Sequence, residues 1–187
     1  MKSSFFLCTG GTRSGKSEFA ERLAMTLPGR HVYVATARVD DEEMQQRVAL
    51  HVKRRPAAWQ TVETTSWLAP TVRLLWQTAD VVLVDCITLY LANVWGTHPD
   101  DELETYILAD IKQLLADFFS YDHKSLIMVT NELGSGIVPA DAMTRLYRDI
   151  AGKVNQYLAQ QAQSVYFSVS GITMEIKQQQ VVLKESL

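Results

Sequence analysis

A chain of 187 residues, 47% hydrophobic and 21% charged, has the length and composition of one globular domain and not those of a disordered chain. Its 18 Lys and Arg against 21 Asp and Glu leave a formal charge of -3, which excludes a global positive field that would attract nucleic acid or anionic lipid. No apolar stretch approaches the roughly 20 residues of a membrane-spanning helix, and the run at Phe5 is too short for a signal peptide. We therefore expect a single domain over residues 1–187, located in the cytoplasm, with no nucleic-acid partner and no membrane span.

Short apolar runs alternate with segments of helical period, a pattern typical of parallel strands joined by crossover helices. The predicted strands are residues 5–9, 31–36, 59–63, 81–84, 126–129 and 165–169. The predicted helices are residues 14–27, a segment from Asp40 to before Pro56, residues 103–119, and a segment around an apolar stripe made by Leu146, Ile150, Val154 and Leu158. The sequence predicts an α/β fold with a mainly parallel sheet. The tail from Ile172 is compatible with a terminal antiparallel hairpin.

A phosphate-binding loop follows the first predicted strand. The residues Gly10, Gly11, Thr12, Arg13, Ser14, Gly15, Lys16 and Ser17 fit G-x-x-x-x-G-K-[ST] without a mismatch. In such a loop the glycines let backbone N–H groups surround phosphates, the lysine reaches the outer phosphates, and the serine hydroxyl binds Mg²⁺. A glycine-rich turn with a chance Lys-Ser pair is the alternative interpretation. The strand before the loop and the helix after it favour a site for a purine nucleoside triphosphate with magnesium, in a fold of the P-loop NTPase type.

A second candidate metal ligand ends the run Val81–Val84. Such loops work with a carboxylate at the end of a buried strand, and Asp85 has that position. An aspartate that caps the following helix is the alternative. Residues 130–132, with the sequence Thr-Asn-Glu, follow another buried strand and should also lie at the sheet edge where open parallel sheets bind ligands. The two cysteines, Cys8 and Cys86, lie in apolar runs and are predicted to be reduced core residues.

The second predicted helix carries a histidine between two arginines. Arg47, His51 and Arg54 fall on one stripe at i, i+4 and i+7, with an apolar stripe of Met44, Val48 and Val52 alongside. A neutral imidazole beside guanidinium groups could attack a phosphate that those groups hold. From these residues alone, a solvated basic face with an incidental histidine is the favoured interpretation.

Several stretches together resemble the bifunctional adenosylcobinamide kinase and adenosylcobinamide-phosphate guanylyltransferase family of cobalamin assembly. They are the phosphate loop with Thr9, residues 41–44 leading to Arg47 and His51, Arg55-Pro56 with Trp59 and Val62-Glu63, residues 85–88, the T-N-E-x-G-x-G-I-V-P run at 130–139, and residues 148–156. The resemblance implies phosphorylation of adenosylcobinamide by ATP or GTP, then transfer of GMP from GTP through a guanylylated histidine. It makes His51 and Lys16 the catalytic residues, and it implies a homotrimer.

The resemblance also implies where the nucleotide binds. Besides the phosphate loop, the implied contacts are Ala35, Thr36, Ala37, Val52, Lys53, Arg54, Arg55, Glu63 and Asp85. Glu63 has a chemical reason to read guanine, because one carboxylate can accept hydrogen bonds from both N1–H and the 2-amino group, which adenine cannot offer. Two other functions fit the loop: a small-molecule kinase in which His51 is structural, and a nucleotide-dependent switch protein that modifies no acceptor.

Overall fold

The computed structural model describes residues 2–38 and 42–182, with only the backbone described at positions 43, 44, 47 and 50. The sequence predicts a capping pair of Asp40 with Glu43 and side-chain stripes that include Met44 and Arg47. Those parts of the predictions lie outside the described residues.

Strands and helices alternate along most of the chain. The strands are β1 (Ser4–Gly10), β2 (His31–Ala35), β3 (Gln60–Glu63), β4 (Val81–Asp85), β5 (Ser125–Val129), β6 (Ser164–Val169) and β7 (Ile172–Glu175). The helices are α1 (Lys16–Met25), α2 (Glu42–Arg54), α3 (Leu68–Leu75), α4 (Ile87–Val94), α5 (Asp100–Phe119) and α6 (Ala142–Gln161), followed by a short 3₁₀ turn at Lys177–Gln179.

Within the described part of the chain, the strands form one sheet in the order β3-β2-β4-β5-β1-β6-β7. Every neighbouring pair from β3 to β6 is parallel, and β7 pairs antiparallel with β6. The predicted α/β class, the mainly parallel sheet and the terminal hairpin are therefore confirmed, and the arrangement is that of a P-loop NTPase-type fold.

Two helices start at different residues from those predicted. Helix α1 begins at Lys16 and not at Ser14, because Gly15 has a left-handed φ of 94° that ends the loop. Helix α5 begins at Asp100, three residues before the predicted start, and its acidic first turn suits the positive end of the helix dipole. Helices α3 and α4 were not predicted; α4 is largely buried and therefore lacks an amphipathic period.

The core lies on both faces of the sheet, since successive side chains of a strand point to opposite faces. On one face Leu7 and Val84 pack among residues of α3 to α6. On the other face Cys8, Leu83 and Val129 pack against the inner side of α1. Cys8 and Cys86 are free and buried, as predicted. Among the described residues, no helix is both long enough and apolar enough to cross a bilayer.

Candidate nucleotide-binding active site

The strand register lines up the predicted site residues along the carboxyl edge of the sheet. Ala35 of β2 pairs with Glu63 of β3 on one side and with Asp85 of β4 on the other. The row continues through Val129 of β5 to Cys8 of β1, just before the phosphate loop. At about 4.8 Å per strand, the end of β3 lies about 19 Å from β1. Asp85 is therefore near the middle of a row that runs from Glu63 to the loop.

The shape of the phosphate loop depends on two glycines. Gly10 has a φ of 150°, and a Cβ there would collide with the backbone oxygen of its β6 partner, Ser168. Gly15 has a left-handed φ and leads into α1, whose first N–H groups face the loop. Among the described residues, the buried hydroxyl of Ser14 has no hydrogen-bond partner. A phosphate oxygen is the kind of acceptor this hydroxyl lacks.

Lys16 lies at the rim of this loop, and its amine donates a hydrogen bond to the carbonyl oxygen of Gly11 at 3.1 Å. The residue is only 8% exposed. Burial lowers the pKa of Lys16, while Cys86 and Asp85 act in the opposite direction. A partly desolvated ammonium gains most from an anionic ligand, because the ligand restores the favourable interactions lost with water.

A cavity of about 550 Å³ joins the loop to the rest of the sheet edge. Most of the predicted site residues line it: Thr12, Arg13, Ser14, Gly15, Lys16, Ser17, Ala35, Ala37, His51, Arg54, Arg55, Glu63 and Asp85. The structure therefore brings the loop, the histidine helix and Glu63 together around one space.

Five predicted contacts do not line the cavity: Gly10, Gly11, Thr36, Val52 and Lys53. Gly10 and Gly11 form the base of the loop, and Thr36 is fully buried behind the strand ends. Val52 and Lys53 lie on the outer side of α2, because a turn of 3.6 residues rotates them away from His51 and Arg54. Of the predicted apolar stripe, Val48 lines the cavity, whereas Val52 is 52% exposed.

Asp85 and Ser17 offer oxygen ligands on the same cavity. The Oδ2 atom of Asp85 accepts a 2.8 Å hydrogen bond from the hydroxyl of Tyr33, and no described residue bonds to Oδ1. Within the described residues there is no cluster of three or more His, Cys, Asp or Glu side chains suited to a metal. One carboxylate and one hydroxyl match the way Mg²⁺ binds with a nucleotide, where phosphates and water supply the other ligands.

His51 faces a cluster of charged side chains on its Nδ1 side. Nδ1 lies 3.0 Å from Nη2 of Arg54, 3.6 Å from Oε1 of Glu21 and 4.0 Å from Oδ2 of Asp85. Arg54 also contacts both carboxylate oxygens of Glu21, each at 3.3 Å. The predicted stripe of His51 and Arg54 therefore faces the cavity, and buried Glu21 of α1 lies behind it.

Arg55, the residue after α2, contacts two strands of the sheet. Its guanidinium carbon lies 3.4 Å from the ring centroid of Tyr33, a cation–π contact, and Nη1 donates to Thr61 at 3.3 Å. Burial, with Asp85 next in importance, raises the pKa of Tyr33 far above its ordinary value, so its hydroxyl remains a donor to that carboxylate.

The structure adds residues that no motif indicated. Tyr33 and Leu89 line the cavity, and Glu21 lies beside His51. None of the three belongs to a sequence motif, because each is an ordinary residue of a helix or strand. Of the three residues 130–132, Asn131 reaches the cavity, and its amide donates to Thr88 at 2.8 Å. Cys86 also lines the cavity, and burial together with Asp85 raises its pKa to about 11, which keeps the thiol uncharged near neutral pH.

Comparison with known proteins identifies the family. The sequence profile of the family described as "Cobinamide kinase / cobinamide phosphate guanyltransferase" matches residues 6–176, which cover most of β1 and every later element up to β7. The chain belongs to this family.

Curated relatives within this cobinamide kinase family are similar over nearly their whole length. The bifunctional adenosylcobalamin biosynthesis protein CobU of Escherichia coli K12 is 39% identical over 180 residues, covering 91% of this chain and 98% of the relative. CobP of Pseudomonas aeruginosa, named in the same way, is 38% identical over 171 residues, covering 91% and 96%. CobU of Salmonella typhimurium LT2 is 38% identical over 179 residues, covering 91% and 98%.

Gly10 and Gly11 provide a matched pair of variants that tests the loop of this cobinamide kinase family member. Gly10→Ala should lower the free energy of unfolding by about 2–4 kcal/mol, because its Cβ meets backbone and its φ is unfavourable for alanine. It should also weaken binding of a fluorescent GTP analogue with magnesium. Gly11→Ala should change stability by less than about 1 kcal/mol, since a Cβ there has no heavy atom within 4 Å. Equal stability of the two variants in denaturant titrations would contradict the loop geometry.

Proposed function

We propose that this protein phosphorylates the aminopropanol hydroxyl of adenosylcobinamide with ATP or GTP and then transfers GMP from GTP to the new phosphate. The order of groups in one cavity carries this proposal. Asp85 lies between the phosphate loop and Glu63 in the row of strand ends, and His51 lies 4.0 Å from Asp85, as the α-phosphate of GTP lies between its outer phosphates and its base. Membership of the cobinamide kinase / cobinamide phosphate guanyltransferase family supports both reactions.

The first reaction depends on the loop. The acceptor hydroxyl oxygen loses its proton to water and forms a bond to the γ-phosphorus, and the bond from γ-phosphorus to the bridging oxygen breaks, so that a nucleoside diphosphate leaves. Backbone N–H groups of residues 10–17 hold the phosphates, and Lys16 neutralises charge on the oxygens around the transferred group. No protein nucleophile is required, because the phosphoryl group passes directly to the acceptor.

The second reaction needs a nucleophile at the α-phosphorus. An imidazole nitrogen of His51 forms a bond to that phosphorus, and pyrophosphate leaves with the electrons of the bond that breaks. The phosphate of the corrinoid then attacks the same phosphorus and releases the imidazole. Arg54 and Arg55 line the cavity beside His51, where they can hold the anionic oxygens during both exchanges.

Magnesium fits the ligands that the chain offers. Ser17 and Asp85 would hold the ion together with the nucleotide phosphates, and Tyr33 keeps the Asp85 carboxylate in place. When bound, magnesium neutralises charge on the phosphates that leave. The homotrimer, the cytoplasmic location and the single domain stay predictions.

A histidine variant separates the two reactions. His51→Ala should lower GMP labelling of the protein by α-labelled GTP at least about 1,000-fold, because the nucleophile is gone. Adenosylcobinamide-dependent release of nucleoside diphosphate should stay within about threefold of wild type. The wild-type adduct should be labile in acid and stable in base, as a bond from phosphorus to nitrogen is.

Two control variants sharpen this test. Lys16→Ala should reduce both reactions about 100-fold or more, since both bind the triphosphate at the loop. His98→Ala removes an imidazole that stacks on Tyr106 away from the cavity, and it should label normally. A His51→Ala protein that still takes up label, or that folds but loses both reactions, would overturn the proposal that His51 carries GMP.

A carboxylate variant tests base recognition. Glu63→Gln should lower the ratio of GTP to ATP in nucleotidyl labelling about 10- to 100-fold, because an amide accepts one of the two guanine donors and presents its own NH₂ to the other. Competition between the two labelled nucleotides measures this ratio. Glu18→Gln is the control, since Glu18 is an exposed carboxylate at the loop end of the same cavity. If both variants keep the wild-type ratio, Glu63 does not read the base.

A further inference from the structure

Glu21 is a buried carboxylate that the proposed reactions have not used. It lies on α1, five residues after Lys16, and is 4% exposed. A buried carboxylate is unfavourable unless it is paired, and its recorded partners are Arg54 and His51. It does not line the nucleotide cavity, because the imidazole and the guanidinium lie in front of it. Glu21 can therefore influence a bound nucleotide only through His51 and Arg54, and not by direct contact.

The nitrogen that faces Glu21 decides whether His51 can attack. A neutral imidazole carries one N–H and one free lone pair, on opposite nitrogens. While Nδ1 accepts the 3.0 Å hydrogen bond from Arg54, the proton is on Nε2 and neither nitrogen has a free lone pair. If Nδ1 instead carries the proton and donates it to Oε1 of Glu21, now 3.6 Å away, the lone pair of Nε2 is free.

We propose that Glu21 is the positioning residue for His51: it accepts the Nδ1 proton and leaves Nε2 as the nucleophile. This inference rests on the proposed guanylyl transfer. The bond from Nε2 to the α-phosphorus forms as the bond to the pyrophosphate oxygen breaks, and the ring becomes positively charged with the proton still on Nδ1. The Glu21 carboxylate stabilises that charge. When the corrinoid phosphate attacks, the electrons of the N–P bond return to Nε2 and the neutral ring is restored.

Arg54 competes with Glu21 for Nδ1 of His51, because its hydrogen bond to Nδ1 prevents that nitrogen from carrying the proton. The competition ends when Arg54 moves away. Its side chain is 41% exposed and lines the cavity, so the phosphates of a bound nucleotide can draw its guanidinium away from Nδ1. The charged groups recorded around the imidazole are then Glu21 from α1 and Asp85 from β4, with Arg54 from α2 turned towards the nucleotide. Nucleotide binding thus favours the proton position that attack requires.

The kinetic test removes the charge and keeps the shape. Glu21→Gln should lower the rate of GMP labelling about 10- to 100-fold relative to the kinase rate of the same protein, the size of effect seen when a metal-binding histidine loses the group that orients it. Glu104→Gln is the matched control, since Glu104 pairs with Lys153 on the surface, and it should keep the wild-type ratio. An unchanged ratio in Glu21→Gln would overturn the proposal.

The position of the proton gives a second readout that a merely structural role would not move. Histidine labelled with the heavy nitrogen isotope reports which ring nitrogen carries hydrogen, and His51→Ala identifies the signals of this ring. With a GTP analogue that has a methylene group between the α- and β-phosphorus atoms, wild type should show the proton on Nδ1, and Glu21→Leu, which removes the acceptor, should show it mainly on Nε2. Wild type with the proton on Nε2 would contradict the proposal, even if Glu21→Leu failed to fold.

The two readouts separate this inference from the proposed function. If wild type takes up no GMP while the NMR signals show the proton on Nδ1 facing Glu21, guanylyl transfer fails and the positioning contact is upheld. If wild type is labelled and His51→Ala is not, but the proton position is the same with and without the Glu21 carboxylate, the proposed function is upheld and the role of Glu21 is refuted.

Discussion

Parallel pairing of the strands from β3 to β6 is the constraint on which the site depends. It places the carboxyl ends of all six strands at one edge, and the register sets Glu63, Ala35 and Asp85 side by side. Thr36 secures the ends of β2 and β4 just beyond that row: its hydroxyl donates to the Cys86 carbonyl and accepts from the Cys86 N–H, both at 2.7 Å. The distance between the proposed base contact and the metal carboxylate is therefore set by backbone hydrogen bonding.

The histidine helix is held in a different way. Two arginines at its end contact the rest of the protein: Arg54 pairs with Glu21 of α1, and Arg55, the residue after the helix, lies on the ring of Tyr33 and donates to Thr61. The phosphate loop owes its shape to backbone geometry, whereas His51 owes its position to ion pairs that an anionic nucleotide can alter. One cavity can thus support direct phosphoryl transfer at the loop and a covalent route at His51.

The sequence predicted the parts of this protein that local chemistry determines. The loop motif needs its glycines and lysine in a set order, and that loop favours a metal ligand over a helix-capping residue for Asp85, which follows the buried run Val81–Val84. It did not predict Glu21 or Tyr33, since a glutamate in an amphipathic helix and a tyrosine in a strand are ordinary, and only the tertiary fold places them beside His51 and Asp85. The catalytic role of His51 was predicted from the family resemblance alone, because a basic helix face is most often simply exposed to solvent.

The central claim is that this imidazole carries GMP between two substrates, and the most direct measurement is to locate the intermediate. The protein is incubated with GTP and magnesium without corrinoid, quenched in base, digested, and analysed by tandem mass spectrometry. We expect one GMP group, attached to His51, that disappears when adenosylcobinamide phosphate is added before the quench. A GMP group on Lys16 or another side chain, or one that the corrinoid does not remove, would contradict the claim.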